Sequence, residues 1–255
     1  MVKAALALLP LVAGLLLLSG VLVLGGLALQ SLHNQPRYQI VFGDIECAPP
    51  PGLTREVFLE EVQMLASFPD SACALDDGLP ARLSAAFAKH PWVEQVQGVE
   101  VAAPKRVRVR LAYRTAVLRV QAKGDDKKRA VDRFGVRLPD AAVDPSLPLL
   151  VGDVKPPGGQ EGRRWGDDRI EAAARTAAFL ASYQDRLHLE SFEAATDGGL
   201  TLRGAAGRIS IIWGRAPGSE PLGEAGADAK LRRLLDFAEK HADGGELDVR
   251  PEGGR

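Results

Sequence analysis

The side chains that most often perform catalysis are few and scattered in this sequence. No serine lies in a Gly-x-Ser-x-Gly turn, and no glycine-rich loop has the strand and helix context of a phosphate site. None of the histidines belongs to a His-Glu-x-x-His zinc motif, and they stand far apart, at His33, His90, His188 and His241. We therefore expect a protein that is not an enzyme, with no cofactor, no metal ion and no small-molecule substrate.

The two cysteines, Cys47 and Cys73, offer a different chemistry, because a cysteine pair can form a disulfide outside the cytoplasm. A bridge would close a loop of about 25 residues and contribute about 3 kcal/mol by the chain-entropy estimate. The alternative is two free thiols, because the helix predicted between them separates its two ends by about 20 Å. The sequence leaves both states open.

A row of arginines marks one predicted strand. Arg106, Arg108 and Arg110 alternate with Val107 and Val109, which is the pattern of a strand with one buried face. Such a basic face can attract an acidic partner or lipid headgroups, or it can simply be solvated. The formal net charge of the chain is −1, so the basic excess typical of a nucleic-acid binder is absent.

The elements around these residues predict an α+β fold in two domains. Residues 37–112 have the order β-α-α-β-β, in which two helices can cover one face of a three-stranded sheet. The predicted elements are a strand at 38–42, helices at 54–67 and 78–89, and strands at 99–101 and 107–111. Thr54 and Asp77 are the expected helix caps.

Residues 113–255 predict a mixed, β-rich domain with two helices. The helices are expected at 168–187 and 227–242, and the strands at 116–120, 130–132, 188–195, 200–203, 208–213 and 246–250. In the last strand, Leu247 and Val249 should face inward, while Asp248 and Arg250 point outward. Five residues follow Arg250, so we expect the outer edge of this strand to stay open.

The N-terminus is the most hydrophobic part of the chain. Residues 4–29 contain no charged side chain, and about twenty apolar residues suffice to cross a bilayer. We therefore expect a short cytoplasmic tip, a single transmembrane anchor and a linker within residues 1–36. The alternative is a cleaved signal peptide, whose apolar core would be shorter, at about 7–15 residues.

Seven short strings occur in the order found in one protein family. They are Val41-Phe42-Gly43, His90-Pro91-Trp92-Val93, Pro104-Lys105-Arg106-Val107, Val131-Asp132-Arg133-Phe134-Gly135, Leu147-Pro148-Leu149-Leu150-Val151-Gly152, Lys230-Leu231-Arg232-Arg233-Leu234 and Leu247-Asp248-Val249-Arg250. With the anchor and the two domains, the chain resembles the bacterial cell-division proteins FtsQ, also called DivIB. Their small domain is a POTRA domain. Arg114-Thr115 departs from the family's usual Glu and Pro.

The resemblance implies a membrane-anchored scaffold of the divisome, which links other membrane division proteins and helps to control septal peptidoglycan synthesis. It implies a single-pass type II protein of the bacterial inner membrane, enriched at the division site, with its C-terminal part on the periplasmic side. It also implies that a strand of an anchored coiled-coil partner binds at Glu246, Leu247, Asp248, Val249 and Arg250. The alternative function is a POTRA-type envelope assembly or secretion factor that holds extended client chains.

Overall fold

The computed structural model describes residues 19–20, 35–102, 104–204, 208–241 and 244–251. The chain divides into two compact units. The first contains the residues up to Lys89 together with Gln95–Leu111, and the second contains His90–Glu94 and the residues from Ala112 onwards. Both helices and strands occur in each unit, as an α+β fold requires.

The chain as far as Tyr113 contains one strand more than the sequence predicted. Its elements are β1 (Gln39–Val41), α1 (Arg55–Ala66), β2 (Ser71–Cys73), α2 (Leu79–Phe87), β3 (Val93–Ala102) and β4 (Arg106–Tyr113). β2 pairs antiparallel with β1, and β3 pairs with β4. The predicted order β-α-α-β-β is therefore wrong by one strand. The described strands also form two two-stranded sheets, rather than the predicted three-stranded sheet. A 3-10 turn at Phe42–Asp44 ends β1. Only after this turn does the chain reach β4, where Glu46 forms an isolated parallel bridge with Arg108.

Helices α1 and α2 each begin next to a hydrogen bond from a backbone N–H to a side chain. Thr54 caps α1, because its hydroxyl accepts a hydrogen bond from the Val57 N–H at 3.3 Å, as predicted. α2 begins after Gly78, and the carboxylate of Asp76, rather than Asp77, accepts from the Gly78 N–H at 2.8 Å.

The buried faces of the two helices meet around three aromatic rings. The Phe87 ring centroid lies 6.0 Å from that of Phe42 and 5.9 Å from that of Phe58.

The second unit is built on a seven-stranded mixed sheet in the order β11-β10-β9-β8-β7-β5-β6. β7 runs parallel to both β5 and β8, and β11 runs parallel to β10. The strands are β5 (Leu118–Gln121), β6 (Lys128–Val131), β7 (Leu149–Val151), β8 (Leu189–Ala194), β9 (Leu200–Gly204), β10 (Ile209–Gly214) and β11 (Gly245–Asp248). Apolar side chains from the sheet and the helices share one core, which includes Phe192, Leu202 and Trp213.

Three helices accompany this sheet where the sequence predicted two. They are α3 (Asp168–Leu180), α4 (Gln184–Leu187) and α5 (Ala227–Lys240). The predicted helix at 168–187 is interrupted by a 3-10 turn at Ala181–Tyr183. α3 and α5 keep their apolar faces against the core, with Ile170, Leu180 and Leu234 almost fully buried.

The fold prediction that began with a transmembrane helix is corrected by the structure. No helix in the described part of the chain is long and apolar enough to cross a membrane. The longest of these helices, α5, has 14 residues. It spans about 21 Å at about 1.5 Å per residue, whereas the hydrocarbon core measures about 30 Å. Apart from Ser19 and Gly20, the predicted span at 4–29 lies outside the described residues.

Candidate partner-binding edge

The last strand, β11, forms one edge of the seven-stranded sheet. Its Gly245 N–H donates to the Arg208 carbonyl at 3.0 Å, and the Val249 N–H donates to the Ile212 carbonyl at 3.2 Å. In a parallel pair, alternate residues direct their N–H and C=O groups to the same neighbour. Glu246 and Asp248 therefore direct their backbone groups away from β10, towards the open side.

The side chains of this strand follow the predicted alternation. Val249 is fully buried, and Leu247 is partly buried against the same core. Asp248 and Arg250 face outward, where the Arg250 guanidinium donates to the Asp248 carboxylate at 2.7 Å. These hydrogen bonds lower the pKa of Asp248 below its usual value, although partial burial opposes them. The predicted orientation of all four side chains is confirmed.

The extent of the strand differs from the prediction. β11 ends at Asp248, whereas the sequence predicted a strand through Arg250. Past the end of the strand, the Arg250 N–H donates to the Asp248 carboxylate at 3.0 Å, so this outward donor is already engaged. The backbone groups that a partner strand can reach therefore belong to Glu246 and Asp248.

The segment after β11 is held from two sides. On one side, the Ala225 N–H donates to the Arg250 carbonyl at 2.7 Å, and Glu224 forms a β-bridge with Pro251. On the other side, the Arg233 guanidinium of α5 donates to the Val249 carbonyl at 3.1 Å and also to the Pro251 carbonyl. We call this arrangement around residues 249–251 the C-terminal clasp.

The opposite edge of the sheet, β6, is covered by the chain itself. The Asp132 N–H donates to the Val136 carbonyl at 3.0 Å, and the Leu138 N–H donates to the Ala130 carbonyl at 2.9 Å. The covering segment is paired in turn, because the Arg137 N–H donates to the Arg163 carbonyl at 2.9 Å. The chain itself therefore engages the outward carbonyl of Ala130 and the N–H of Asp132 at this edge.

Two comparisons with known proteins found no match. No protein-family model matches the chain, and no curated protein matches it. The resemblance to the FtsQ proteins therefore rests on the short strings and the order of elements alone.

For the Val131-Asp132-Arg133-Phe134-Gly135 string, the structure gives a physical reason for the residues at 132 and 135. The buried Asp132 carboxylate accepts from the Phe134 N–H at 2.8 Å and the Val136 N–H at 2.9 Å, and Gly135 has a φ of 69°.

The arginine row of β4 is largely neutralised within its own unit. Glu46 forms ion pairs with Arg106 at 3.6 Å and with Arg108 at 3.0 Å, and Arg110 pairs with Glu100. All three arginine side chains are at least half exposed. These contacts favour the interpretation of a solvated face over a site for an acidic partner.

Cys47 and Cys73 are free thiols in the structure. Cys47 lines a groove of about 530 Å³ that also contains Arg55 and Arg108. Burial raises the pKa of the Cys47 thiol to about 11, and the positive charge of Arg55 only partly offsets this. The thiol therefore remains protonated and weakly nucleophilic at neutral pH.

A second groove, of about 630 Å³, lies at the start of α3, and it is polar. Among its lining residues, the Asp167 carboxylate caps α3 by accepting from the Arg169 N–H at 3.0 Å, and it pairs with the Arg169 guanidinium at 2.7 Å. These two charged groups are therefore already engaged with each other. Within the described ranges, no group of three or more side chains is arranged to hold a metal ion.

Sequence reasoning missed three residues that shape the candidate edge: Glu224, Lys230 and Arg233. Lys230 lies four residues before the buried Leu234, on the apolar face of α5. A lysine within an apolar helical stripe was the available signal, because a buried ammonium group needs a partner. The identity of that partner depends on contacts that the helical pattern does not contain.

Proposed function

We propose that this protein is a non-enzymatic scaffold that binds an extended segment of another protein along the outer edge of β11. The observation that carries the proposal is the contrast between this edge and β6, which the chain covers itself. An exposed row of backbone donors and acceptors favours strand addition by a second chain. On this edge the groups are those of Glu246 and Asp248.

The resemblance to the FtsQ proteins supports a more specific assignment. We infer that the partners are membrane division proteins of a bacterium, and that a coiled-coil partner supplies the added strand. The protein then works on the periplasmic side of the inner membrane at the division site. There it links these proteins and helps to control septal peptidoglycan synthesis.

A second candidate function is an envelope assembly or secretion factor that holds extended client chains. One observation favours it: β3 has 10 residues, and among the described strands it pairs with β4 alone. A fluorescent fusion in the native bacterium separates the two functions. A division scaffold should be enriched at the septum, whereas an assembly factor should give a uniform envelope signal.

Proline substitutions test the β11 edge directly, because proline lacks the backbone N–H that a partner strand would use. Glu246→Pro and Asp248→Pro each remove an outward donor, so both should leave the sheet folded and reduce partner capture. Leu247→Pro is the matched control, since it removes an inward donor and should loosen β11 from β10. Glu246→Ala and Asp248→Ala remove the side chains but keep the donors.

The measurements are circular dichroism for folding, co-purification of membrane partners for every variant, and site-specific photo-crosslinking in the native bacterium for the variants at position 248. A photoreactive residue at position 246 should capture a division protein, and the capture should persist in Asp248→Ala but decrease strongly in Asp248→Pro. If both outward proline variants fold and retain every partner of the parent protein, this edge is not the docking site.

A further inference from the structure

A fully buried charge lies beside the end of β10, the strand that pairs with β11. Lys230 of α5 is 0% exposed. Its ammonium group donates to Glu224 Oε1 at 2.5 Å and to the Arg215 carbonyl at 3.0 Å, and it lies 5.2 Å from the centre of the Trp213 ring. Lysine is almost never fully buried without a partner, because an uncompensated charge in a protein interior is costly. This site therefore has a specific structural task.

Glu224 connects that charge to the loop between β10 and α5. Its Oε1 atom also accepts the Arg215 N–H at 2.7 Å. Gly214 comes close to the same carboxylate, so a Cβ atom at position 214, where φ is 82°, would collide with Glu224 Oε1. The end of β10, the following loop and α5 are thus joined at a single buried ion pair.

The two residues of this pair lie on the two elements that form the C-terminal clasp. The loop with Glu224 contacts Arg250 and Pro251 through its backbone. The helix with Lys230 contacts Val249 and Pro251 through Arg233, three residues further along α5. The ion pair therefore fixes the distance between the two sides of the clasp.

We propose that Lys230 and Glu224 are positioning residues for the β11 edge. β11 has four residues and one neighbouring strand, so its own ladder gives it few hydrogen bonds. The buried pair holds the clasp closed, and the clasp keeps the outward groups of Glu246 and Asp248 in register for an incoming strand. The binding part of this inference rests on the proposed function, whereas the ordering of β11 does not.

Hydrogen exchange of the full chain, followed by mass spectrometry, tests the ordering. Lys230→Met leaves the Glu224 carboxylate buried without its cation. We expect peptides covering 220–226 and 245–251 to exchange roughly tenfold faster, because the local opening free energy falls there. The β8–β9 hairpin should exchange at the parent rate. Arg232→Met is the matched control, since Arg232 is an exposed neighbour on the same helix.

The double variant Lys230→Met/Glu224→Gln distinguishes positioning by charge from simple packing. It removes both charges and leaves an amide oxygen that can still accept the Arg215 N–H, so protection of 245–251 should largely return. Photo-crosslinking from position 246 should decrease in the single variant and recover in the double variant.

Three results would overturn parts of this inference. Parent-like exchange of 245–251 in Lys230→Met, or equal acceleration throughout the sheet, contradicts the positioning role. Accelerated exchange without recovery in the double variant shows a packing role instead. Accelerated exchange with unchanged crosslinking removes the link to partner binding. Failure of the proposed function would be seen in a different experiment. In that case the folded Glu246→Pro and Asp248→Pro variants would retain their partners.

Discussion

The two edges of the seven-stranded sheet are built in opposite ways. Beyond β6, residues 136–138 form a covering segment, which is itself paired with residues 162–164. Beside β11, the described residues form a single isolated bridge, between Glu224 and Pro251, and it lies past the end of the strand. Exposed strand edges favour unwanted association, and proteins usually protect them. The two edges therefore differ in how much of their outward backbone the described chain itself engages.

A buried or nearly buried ion pair lies near each edge, and the two pairs contact different parts of the chain. At β6, the Asp132 carboxylate pairs with Arg114 at 2.6 Å and also organises the turn that starts the cover. Near β11, the Lys230–Glu224 pair joins the loop and the helix that hold the C-terminal clasp. An ion pair with little exposed surface therefore lies near each edge of the sheet.

Disrupting the segment that covers β6 should cause the largest loss in the free energy of unfolding. Asp132→Ala removes the partner of Arg114, whose side chain is 16% exposed, and the acceptor of two backbone N–H groups. Removing one member of a buried pair typically costs about 3–5 kcal/mol, so we expect a loss of this size in the free energy of unfolding. Urea denaturation followed by tryptophan fluorescence measures it, because Trp165 and Trp213 belong to the core of this unit.

The exposed Asp126→Ala is the control, and it should unfold within about 0.5 kcal/mol of the parent protein. Asp132→Asn should fall between the two, since its amide oxygen can still accept from the turn. A parent-like unfolding curve for Asp132→Ala would mean that the cover does not depend on this carboxylate.

Shortening Val249, a buried side chain just after β11, should cause a smaller loss in the free energy of unfolding. Val249 is fully buried, so Val249→Ala should cost about 2 kcal/mol from lost transfer free energy and a small cavity. Leu247→Ala, at a partly buried position, should cost less despite the larger truncation. The same urea titration compares them. If Leu247→Ala proved the more destabilising variant, the alternation of buried faces along β11 would need revision.

The main helices and most strands of this fold could be predicted from the sequence, at least in part, whereas the two short strands β2 and β7 could not. The Thr54 cap and the position of α5 follow from local patterns, and the structure confirms them. β2 and β7 have three residues each, too few to show an alternating pattern. Their strand character comes from pairing with β1 and with β5 and β8, contacts that join distant parts of the chain.

The same limit applies to the candidate edge. The inward positions of Leu247 and Val249 follow from alternation within one strand, and the structure confirms them. The parallel pairing with β10 and the clasp depend on tertiary contacts. One example is the bond from Arg233 to the Val249 carbonyl, which spans 16 positions of the chain. Local periodicity carries no information about such a contact.

The smallest expected loss of stability comes from breaking the outward-facing ion pair between Asp248 and Arg250. Hydrogen bonds from Arg250 hold the pKa of Asp248 below its usual range, although the Asp248 side chain is 35% exposed. Because the folded-state pKa is lowered, the pair stabilises the fold above the unfolded-state pKa of about 3.9 and loses this contribution as the pH falls through the folded value. Solvent screening limits the contribution, so Asp248→Asn should cost about 0.5 kcal/mol at neutral pH.

The pH dependence separates this ion pair from a simple change of side chain. Arg250 stays charged throughout the acidic range, because its pKa is raised further by the same contact. The difference in unfolding free energy between the parent protein and Asp248→Asn should therefore shrink towards zero as the pH falls below about 4. Asp126→Asn, an exposed control, should show no such convergence. A constant difference from pH 7 down to pH 3 would show that the Asp248 charge does not stabilise this edge, and that the carboxylate acts only through its backbone hydrogen bond to Arg250.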